Sequence, residues 1–229
     1  MNTSRVRLVG YLLTAVGVIF FVVAGIAYMK TQEGYAALDA FSSEQNVVLT
    51  YNEDGELTDR GTTEGADAIL ALLTEDWGFT INAADLDPDD PIVDTATEYM
   101  YQMATINYHV LHGTQTIVLT EDKEYDANGD GTIAADEVFP AGEYEFQVDG
   151  RYYSEFDRSH PLEGPARGQA WSPIVFGLTA QLGVGTTTAY TLQLALGLAA
   201  LFAALGGTLL LTGLGLVWAS RPEKAAAAA

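Results

Sequence analysis

The sequence predicts an α+β extracytoplasmic domain between two transmembrane α-helices. Its 229 residues include 31 acidic and ten basic residues, for a formal net charge of −21, yet 48% are hydrophobic and the mean hydropathy is +0.11. A chain that is both this acidic and this apolar keeps the two kinds of residue in different segments. Two runs without charge, 8–29 and 189–220, carry the apolar character, and 30 of the 31 acidic residues lie within 30–188.

The composition also argues against several classes of protein. A sequence pI near 4.1 argues against nucleic-acid binding, because an acidic surface repels phosphate. The chain has no cysteine, which excludes disulfides, thiolate zinc sites, thiol catalysis and iron–sulfur clusters. Its hydrophobic content argues against intrinsic disorder, which combines high charge with low hydrophobicity.

Residues 8–29 predict the first transmembrane helix, because a span requires about 20 apolar residues. A signal peptide is the alternative. We prefer an uncleaved anchor, since the apolar stretch is longer than a typical signal core and no clean A-x-A cleavage site follows it. Residues 189–218 predict the second transmembrane helix on the same grounds of length and composition.

The basic residues outside the central segment predict the orientation of the chain. They flank the two spans on one side: Arg5 and Arg7 precede the first span, and Arg221 and Lys224 follow the second. The positive-inside rule therefore places both termini, 1–7 and 219–229, in the cytoplasm of a plasma-membrane protein. Residues 30–188 then form an extracytoplasmic domain with a charge balance of −24.

The second span contains a stripe of small residues at helical spacing, Ala199, Ala203 and Gly207. Such a stripe allows another helix to approach closely, and we expect it to contact other membrane subunits. The alternative is that glycine and alanine are simply common in spanning helices. Neither span contains Asp, Glu, Lys, Arg or His, which disfavours an ion channel or a pump because transport pathways usually need such groups.

Residues 30–188 predict a mixture of helices and strands from their periodicity. In order, we expect a strand at 45–51, helices at 65–77 and 92–112, and strands at 114–120 and 143–148. We then expect a hairpin in which Asp149–Gly150 leads to 151–153, an irregular run at 159–171, and a helix at 171–182 on the membrane face. These elements define the α+β class.

The most specific motif in the chain is DANGDGTIAADE at 126–137, which matches the calcium-loop pattern D-x-[DN]-x-[DN]-G-x5-E. The predicted Ca²⁺ ligands are the side chains of Asp126, Asn128 and Asp130, the carbonyl of Thr132, and a bidentate Glu137. A water would fill the place of Ala134. Oxygen donors at this spacing suit a hard cation, and we expect Ile133 to anchor the loop in the core.

These twelve residues resemble the calcium-binding loop of the EF-hand family. The resemblance implies calcium binding but not the helix–loop–helix unit, because the flanking TIVLTEDKEY and VFPAGEYEF favour extended structure. No second loop is present to pair with the first. A calcium sensor requires paired, mobile helices, so we expect the ion to act as a structural staple.

His109 and His112 form a weaker candidate metal site on the helix predicted at 92–112. The nearby Met100 and Met103 invite a copper site, but at about 100° per residue they lie on the opposite face of the helix. Glu98 shares the face of the histidines yet is about three turns from His109. The alternative is a solvated or partner-facing helix surface.

We expect a non-enzymatic accessory or structural subunit of a membrane complex, such as a respiratory, oxygenase or transport assembly. No nucleophile, phosphate-loop or metalloprotease motif is present, although an external hydrolase assembled from distant residues is a further alternative. The layout, with TTTAYTLQLALGLAALFAALGG in the second span, resembles small two-span actinobacterial membrane proteins of unknown function.

The main alternative is a calcium-dependent cell-surface binding module for a solute, a glycan or a metal ion. A solvent-exposed aromatic pocket would favour this module, whereas tyrosines packed in the core would favour the structural subunit. The tyrosines that could build such a pocket are Tyr99, Tyr101, Tyr108, Tyr152 and Tyr153.

Overall fold

A computed structural model describes residues 3–221 of the chain. Lys224, which contributes to the predicted orientation, lies outside the described residues, as does most of the predicted cytoplasmic tail at 219–229. The chain divides into two compact units. The chain ends, Met1–Glu44 with Thr188–Ala229, form one unit, here called the helical pair. Gln45–Thr187 form the other, here called the α+β domain.

Two helices of unusual length confirm the coarse architecture of long apolar helices on either side of a small α+β region. Helix α1 spans Thr3–Gln45, and a second helix spans Pro173–Ala219 near the carboxyl end. Both are long and apolar enough to cross a membrane. Only 17% and 11% of their most apolar windows are buried, unlike the core helix of a soluble protein, which is mostly buried.

Small residues at a spacing of seven form the contact between the helices of the helical pair. On α1 the buried positions at this spacing are Gly10, Gly17, Ala24, Thr31 and the larger Leu38; on the second helix they are Ala199, Gly206 and Gly213, and the buried Ser220 directly follows that helix. A seven-residue repeat keeps one face of each helix toward its partner. The backbones touch: a Cβ added at Gly17 would lie 2.9 Å from the carbonyl oxygen of Gly206. The pair is antiparallel.

Both long helices extend further than the sequence predicts. Helix α1 continues sixteen residues beyond the predicted end at 29, so the strand predicted at 45–51 shrinks to β1, Thr50–Tyr51. Residues 30–45 contain good helix formers and no proline, so nothing ends the helix where its apolar stretch ends. The helix predicted at 171–182 is likewise the beginning of the helix Pro173–Ala219.

The α+β domain consists of short helices and three two-stranded antiparallel sheets. Its helices are α2 (Thr63–Ala71), which continues into a π-helical turn at Leu72–Asp76, α3 (Ala96–Leu111) and α4 (Glu163–Ala170), after which Pro173–Ala219 is α5. Its strands are β1, β2 (Leu57–Thr58), β3 (Thr114–Leu119), β4 (Lys123–Glu124), β5 (Val138–Phe139) and β6 (Gly142–Gln147). Short 3-10 turns occur at Ala83–Asp85, Ala135–Glu137 and Tyr153–Glu155.

The core of the α+β domain lies between α2, α3 and the sheet of β3 and β6. These strands pair antiparallel from Thr114 opposite Gln147 to Leu119 opposite Gly142. These elements and their borders contribute apolar side chains that are at most 1% exposed: Ile69, Leu73, Ala104, Ile117 and Val148. The first turns of α5 also pack on α3, because a Cβ at Gly185 would lie 2.6 Å from the ring of Tyr99.

Two predicted elements of this domain are wrong. The chain does not form a hairpin after Asp149–Gly150, because β6 pairs with β3 and residues Tyr153–Glu155 form a 3-10 turn. The run 159–171, predicted to be irregular, contains α4. Gly164 permits this helix to begin, because a Cβ there would lie 2.7 Å from the carbonyl oxygen of Arg158.

Helix α3 begins later than predicted because Thr95 caps it. The Thr95 hydroxyl accepts a hydrogen bond from the Glu98 amide at 3.2 Å, and the Glu98 carboxylate accepts one from the Thr95 amide at 2.8 Å. This reciprocal capping box satisfies two amides of the first turn. Glu98 is 1% exposed and burial raises its pKa, so the face that it is predicted to share with the histidines is not solvated at this position.

Candidate metal centre

Residues 126–137 form a loop between two paired strands. Strands β4 and β5 flank the loop and pair antiparallel, with Lys123 opposite Phe139 and Glu124 opposite Val138. The Tyr125 amide donates to the Glu137 carbonyl at 2.9 Å and closes the base of the loop. The predicted extended flanks are confirmed.

The carboxylate of Asp126 organises the first half of the loop. One oxygen accepts a hydrogen bond from the Gly129 amide at 2.7 Å, and the other accepts one from the Gly131 amide at 2.8 Å. Gly131 has a φ of +81°, which L side chains rarely adopt, so the sixth position of the loop requires glycine. The side chain of the first predicted ligand therefore lies inside the turn of the loop.

The next two predicted ligands are also held by amides of the loop. The Asn128 side-chain oxygen accepts from the Asp130 amide at 2.8 Å. Asp130 accepts hydrogen bonds from the hydroxyl of Thr132 at 2.5 Å and from its amide at 2.8 Å, and these bonds lower the pKa of Asp130. A carboxylate with a low pKa is in the form that a cation binds.

Glu137 connects the two ends of the loop. It is 8% exposed, and its carboxylate oxygens accept hydrogen bonds from the Ala127 amide at 3.0 Å and the Ala134 amide at 2.9 Å. The twelfth position of the motif thus carries a buried carboxylate that faces the loop. Ile133, by contrast, is 41% exposed, so the prediction that it anchors the loop in the core is wrong. Because the loop is short and lies between two short strands, this side chain does not reach the core.

The donor set of this loop suits a hard cation, since Asp126, Asn128, Asp130 and Glu137 offer only oxygen ligands. Within residues 3–221, however, the structure does not gather three or more His, Asp or Glu side chains into a group that could hold a metal ion. The carboxylates are instead directed at loop amides. The chemistry of the residues fits Ca²⁺, and calcium binding stays a prediction.

An aromatic clamp, undetected in the sequence, connects the base of the loop to the segment before α4. The Tyr125 hydroxyl donates a hydrogen bond to the Asp157 carboxylate. The His160 ring packs edge-on against Tyr125 and Phe139, with ring centroids 4.8 Å and 5.0 Å away. Hydrogen bonds from Ser159 and Tyr125 hold the pKa of Asp157 well below its usual range. No spacing rule relates residues 125 and 157, so only the fold reveals this contact.

His109 and His112 contact different partners within the protein. The Nε2 atom of His109 lies 3.0 Å from the Asp59 carboxylate and connects α3 to the segment before α2. The Nδ1 atom of His112 lies 2.8 Å from the Tyr108 carbonyl oxygen at the end of α3. One ring nitrogen of each histidine therefore has a protein partner, and a shared transition-metal site stays a prediction.

Of the five tyrosines proposed for an aromatic pocket, two are buried, two are exposed, and Tyr108 is half-buried beside the ring of His112. Tyr99 and Tyr101 are buried in the core at 4% and 3% exposure. Tyr152 and Tyr153 are 39% and 37% exposed and lie on an aromatic surface. There the Tyr152 ring stacks on Trp171 with centroids 5.8 Å apart. The buried tyrosines thus fit the structural subunit, and the exposed tyrosines fit the alternative of a surface binding module.

The small-residue stripe of the second span faces the first helix of the same chain. Ala199 is 4% exposed, and a Cβ added at Gly207 would lie 3.7 Å from the Phe21 ring. Ala203 lines an apolar groove together with Ala24. The stripe thus serves the contact within the helical pair, and contacts with other subunits stay a prediction. No protein-family model, curated protein or solved structure matches this chain.

Proposed function

We propose that this chain is a two-span plasma-membrane protein whose α+β domain lies outside the cell and serves as a non-enzymatic accessory or structural subunit. The observation that carries the proposal is the helical pair itself. Its inner faces consist of small residues in backbone contact, whereas its outer faces are apolar and exposed. A water-soluble protein would bury such outer faces, and a bilayer solvates them.

The exposed outer faces carry large aliphatic and aromatic side chains along both helices. Examples with at least half of their surface exposed are Leu12, Ile19, Ile26, Leu194, Leu201 and Leu211. Burying apolar surface is worth about 25 cal/mol per Å², so this many exposed side chains favour transfer of the pair into hydrocarbon. Helices of 43 and 47 residues are about 65 and 70 Å long, enough to cross a core of about 30 Å and continue beyond it.

Charge at one end of the helical pair supports the proposed orientation. Arg5, Arg7 and Arg221 lie near the free ends of the two antiparallel helices, and the Arg7 guanidinium donates to the Ser220 carbonyl oxygen at 2.8 Å. Positive charge at a helix end marks the cytoplasmic side of a span. The acidic α+β domain then lies on the opposite side of the membrane.

A supporting rather than transporting role agrees with the apolar character of the pair. Residues 8–29 and 189–220 contain no Asp, Glu, Lys, Arg or His with which to bind an ion or relay a proton. In our proposal the helices anchor the domain, and Ca²⁺ on Asp126, Asn128, Asp130, Thr132 and Glu137 stiffens the loop between β4 and β5. Bound calcium would supply positive charge to a loop rich in carboxylates, and external calcium concentrations fill even weak sites.

Purification in a gentle detergent after cross-linking in intact cells tests the subunit hypothesis. We expect the tagged chain to retain other membrane proteins in fixed stoichiometry, visible as a larger particle by size-exclusion chromatography with light scattering. An untagged strain, processed in parallel, controls for proteins that adhere to the resin. A monodisperse monomer without a cross-linked partner would contradict the hypothesis.

A second candidate is a cell-surface binding module, and one specific observation favours it. Tyr152 and Tyr153 are exposed on an aromatic surface that includes Phe176, and the Tyr152 ring stacks on Trp171, which is buried beneath it. The Trp77 indole also donates to the Tyr152 hydroxyl at 3.0 Å, which fixes that ring. Exposed, fixed aromatic rings are common at binding sites because they lose little entropy on contact.

A further inference from the structure

Basic side chains are scarce in the external segment, and half of them form no ion pair. Residues 30–188 contain 30 acidic and six basic residues. Three of the six pair with a neighbouring carboxylate: Lys30 with Glu33, Lys123 with Glu121, and Arg151 with Glu163. Within the part of the chain that the structure describes, Arg60, Arg158 and Arg167 have no such partner. Unpaired arginines are unexpected where carboxylates are in fivefold excess.

Arg158 and Arg167 lie against the same exposed ring. The guanidinium carbon of Arg167 is 4.4 Å from the centroid of Tyr153, and that of Arg158 is 6.0 Å away. The Nε and Nη1 atoms of Arg167 are buried and have no hydrogen-bond partner among residues 3–221. Stacking on the ring compensates the buried charge only in part, because N–H donors without acceptors are costly. An oxyanion beside the guanidinium would supply the missing counter-charge, although it would not reach the two buried donors.

Gly164 lets the backbone of Arg158 lie close to the helix that carries Arg167. The carbonyl oxygen of Arg158 would lie 2.7 Å from a Cβ at position 164, so only glycine lets this backbone rest on the first turn of α4. Arg167 follows three residues later, about one helical turn along α4. The close approach therefore places the backbone of the exposed Arg158 against the helix of the half-buried Arg167, and the two side chains meet the ring of Tyr153.

The neighbourhood of the two arginines is aromatic. Tyr153 meets Phe176 edge-to-face at 5.2 Å, and Phe176 packs near Trp171 at 6.2 Å. Phe176 is 44% exposed and Ile174, beside it in sequence, is 73% exposed. Arginine and aromatic residues at one exposed place form the composition typical of binding hot spots. The surface offers charge for an anion and apolar area for a group attached to it.

We propose that Arg158, Arg167 and Tyr153 bind a single carboxylate carried beside an apolar side chain on a partner protein. A chain terminus after an apolar residue has this chemistry. The segment around the site has a charge balance of −24, which repels polyanions such as acidic runs or phosphate-rich ligands at long range. A single carboxylate is repelled much less than a polyanion, and at short range it is attracted to two guanidinium groups. The identity of the ligand as a partner protein rests on the proposed function.

Titration of the full chain in detergent with N-acetylphenylalanine tests this site. The probe contains one carboxylate and one ring, and tryptophan emission reports binding because the buried Trp171 packs against the rings of Tyr152 and Phe176 on this surface. We expect saturable binding with a dissociation constant of about 1 mM, as for other small fragments. N-acetylphenylalanine amide, which lacks the charge, should bind about tenfold more weakly or worse.

Arginine variants locate the site. Arg158→Gln should weaken binding of the probe about tenfold, and because Arg158 is exposed its replacement leaves the core intact. Arg60→Gln, the matched control, removes the same charge from another exposed, unpaired arginine of the same domain and should leave binding unchanged. Arg167→Lys keeps the charge but loses the planar group, and we expect an intermediate effect.

Four outcomes would overturn the proposal: no saturable binding of the probe, equal binding of the amide, equal effects of Arg158→Gln and Arg60→Gln, or tighter binding of inorganic phosphate than of the carboxylate. Each of them removes the carboxylate site but leaves the co-purification result untouched. Conversely, a monomeric preparation that binds the probe would remove the subunit hypothesis and keep the site.

Discussion

Replacing Gly213 with alanine should loosen the contact within the helical pair. A Cβ at this position would lie 2.6 Å from the Gly10 carbonyl oxygen and 2.5 Å from the Thr14 hydroxyl. The first of these contacts is with backbone, which has no alternative rotamer. Gly215, two residues further along α5, has nothing within 4 Å of the corresponding Cβ. Gly215→Ala is therefore a matched control on the same helix.

The loss of stability can be estimated from how far the two helices must separate to accommodate the added methyl group. Ordinary contacts of a Cβ begin at 3.4 Å, so α5 must move away from α1 by about 0.8 Å near Gly213. Inserting a methyl group into a packed interface costs about 1–3 kcal/mol, whereas alanine gains up to about 1 kcal/mol over glycine in helix propensity. Both variants gain the helix propensity of alanine, but only Gly213→Ala inserts a methyl group into the packed contact. We expect their free energies of unfolding to differ by about 1–3 kcal/mol.

Unfolding of the pair in mixed micelles measures this difference. Because the chain has no cysteine, fluorophores can be attached at cysteines introduced at Ile19 and Leu211, which are 61% and 75% exposed. Loss of energy transfer during titration with a denaturing detergent then gives the free energy of separation. Equal midpoints for Gly213→Ala and Gly215→Ala would refute the close packing of α1 and α5.

Three other substitutions test the α+β domain. With about 5 mM Ca²⁺ and an affinity of about 10⁻⁴–10⁻³ M, calcium should stabilise the domain by about 1–2 kcal/mol. Glu137→Gln should abolish this rise in melting temperature and Asp136→Asn, a control in the same loop, should keep it; a rise in both variants would contradict the ligand assignment. The pKa of Glu98 is raised above 4.5 by burial, so its contribution to stability is present at low pH and lost as the pH rises through that pKa. Glu98→Gln should remove this part of the pH dependence of thermal unfolding, and an unchanged profile would contradict the burial argument. Thr95→Ala should cost about 1 kcal/mol in thermal unfolding by removing the helix cap, and no loss would contradict the capping box.

The architecture could be predicted from the sequence where local composition decides it. Charge-free runs near both ends of the chain leave no alternative to long apolar helices, and the alternation in 114–120 and 143–148 produces β3 and β6. The helix ends could not be predicted in this way. Helix formers continue past residue 29, so the helix continues although the apolar stretch ends.

The candidate sites likewise include features that the local sequence predicts and features that it does not. The spacing within 126–137 predicts the loop and its turn, because the motif is contiguous. The burial of Glu98 and the shared contact of Arg158 and Arg167 with Tyr153 depend on contacts between elements. A helical periodicity identifies which residues share a face but not which face packs inward. Gly164 allows the close approach of Arg158 to α4, and a glycine in a polar stretch gives no sign of this role in the sequence.

Labelling of single cysteines in intact cells tests the central claim of a two-span protein with an external domain. The natural absence of cysteine provides the background. Ser154 lies in the exposed 3-10 turn of the α+β domain, and Ser4 lies in the first turn of α1. We predict that a membrane-impermeant maleimide labels Ser154→Cys in intact cells and labels Ser4→Cys only after lysis. Labelling of Ser4→Cys but not Ser154→Cys in intact cells would contradict the account.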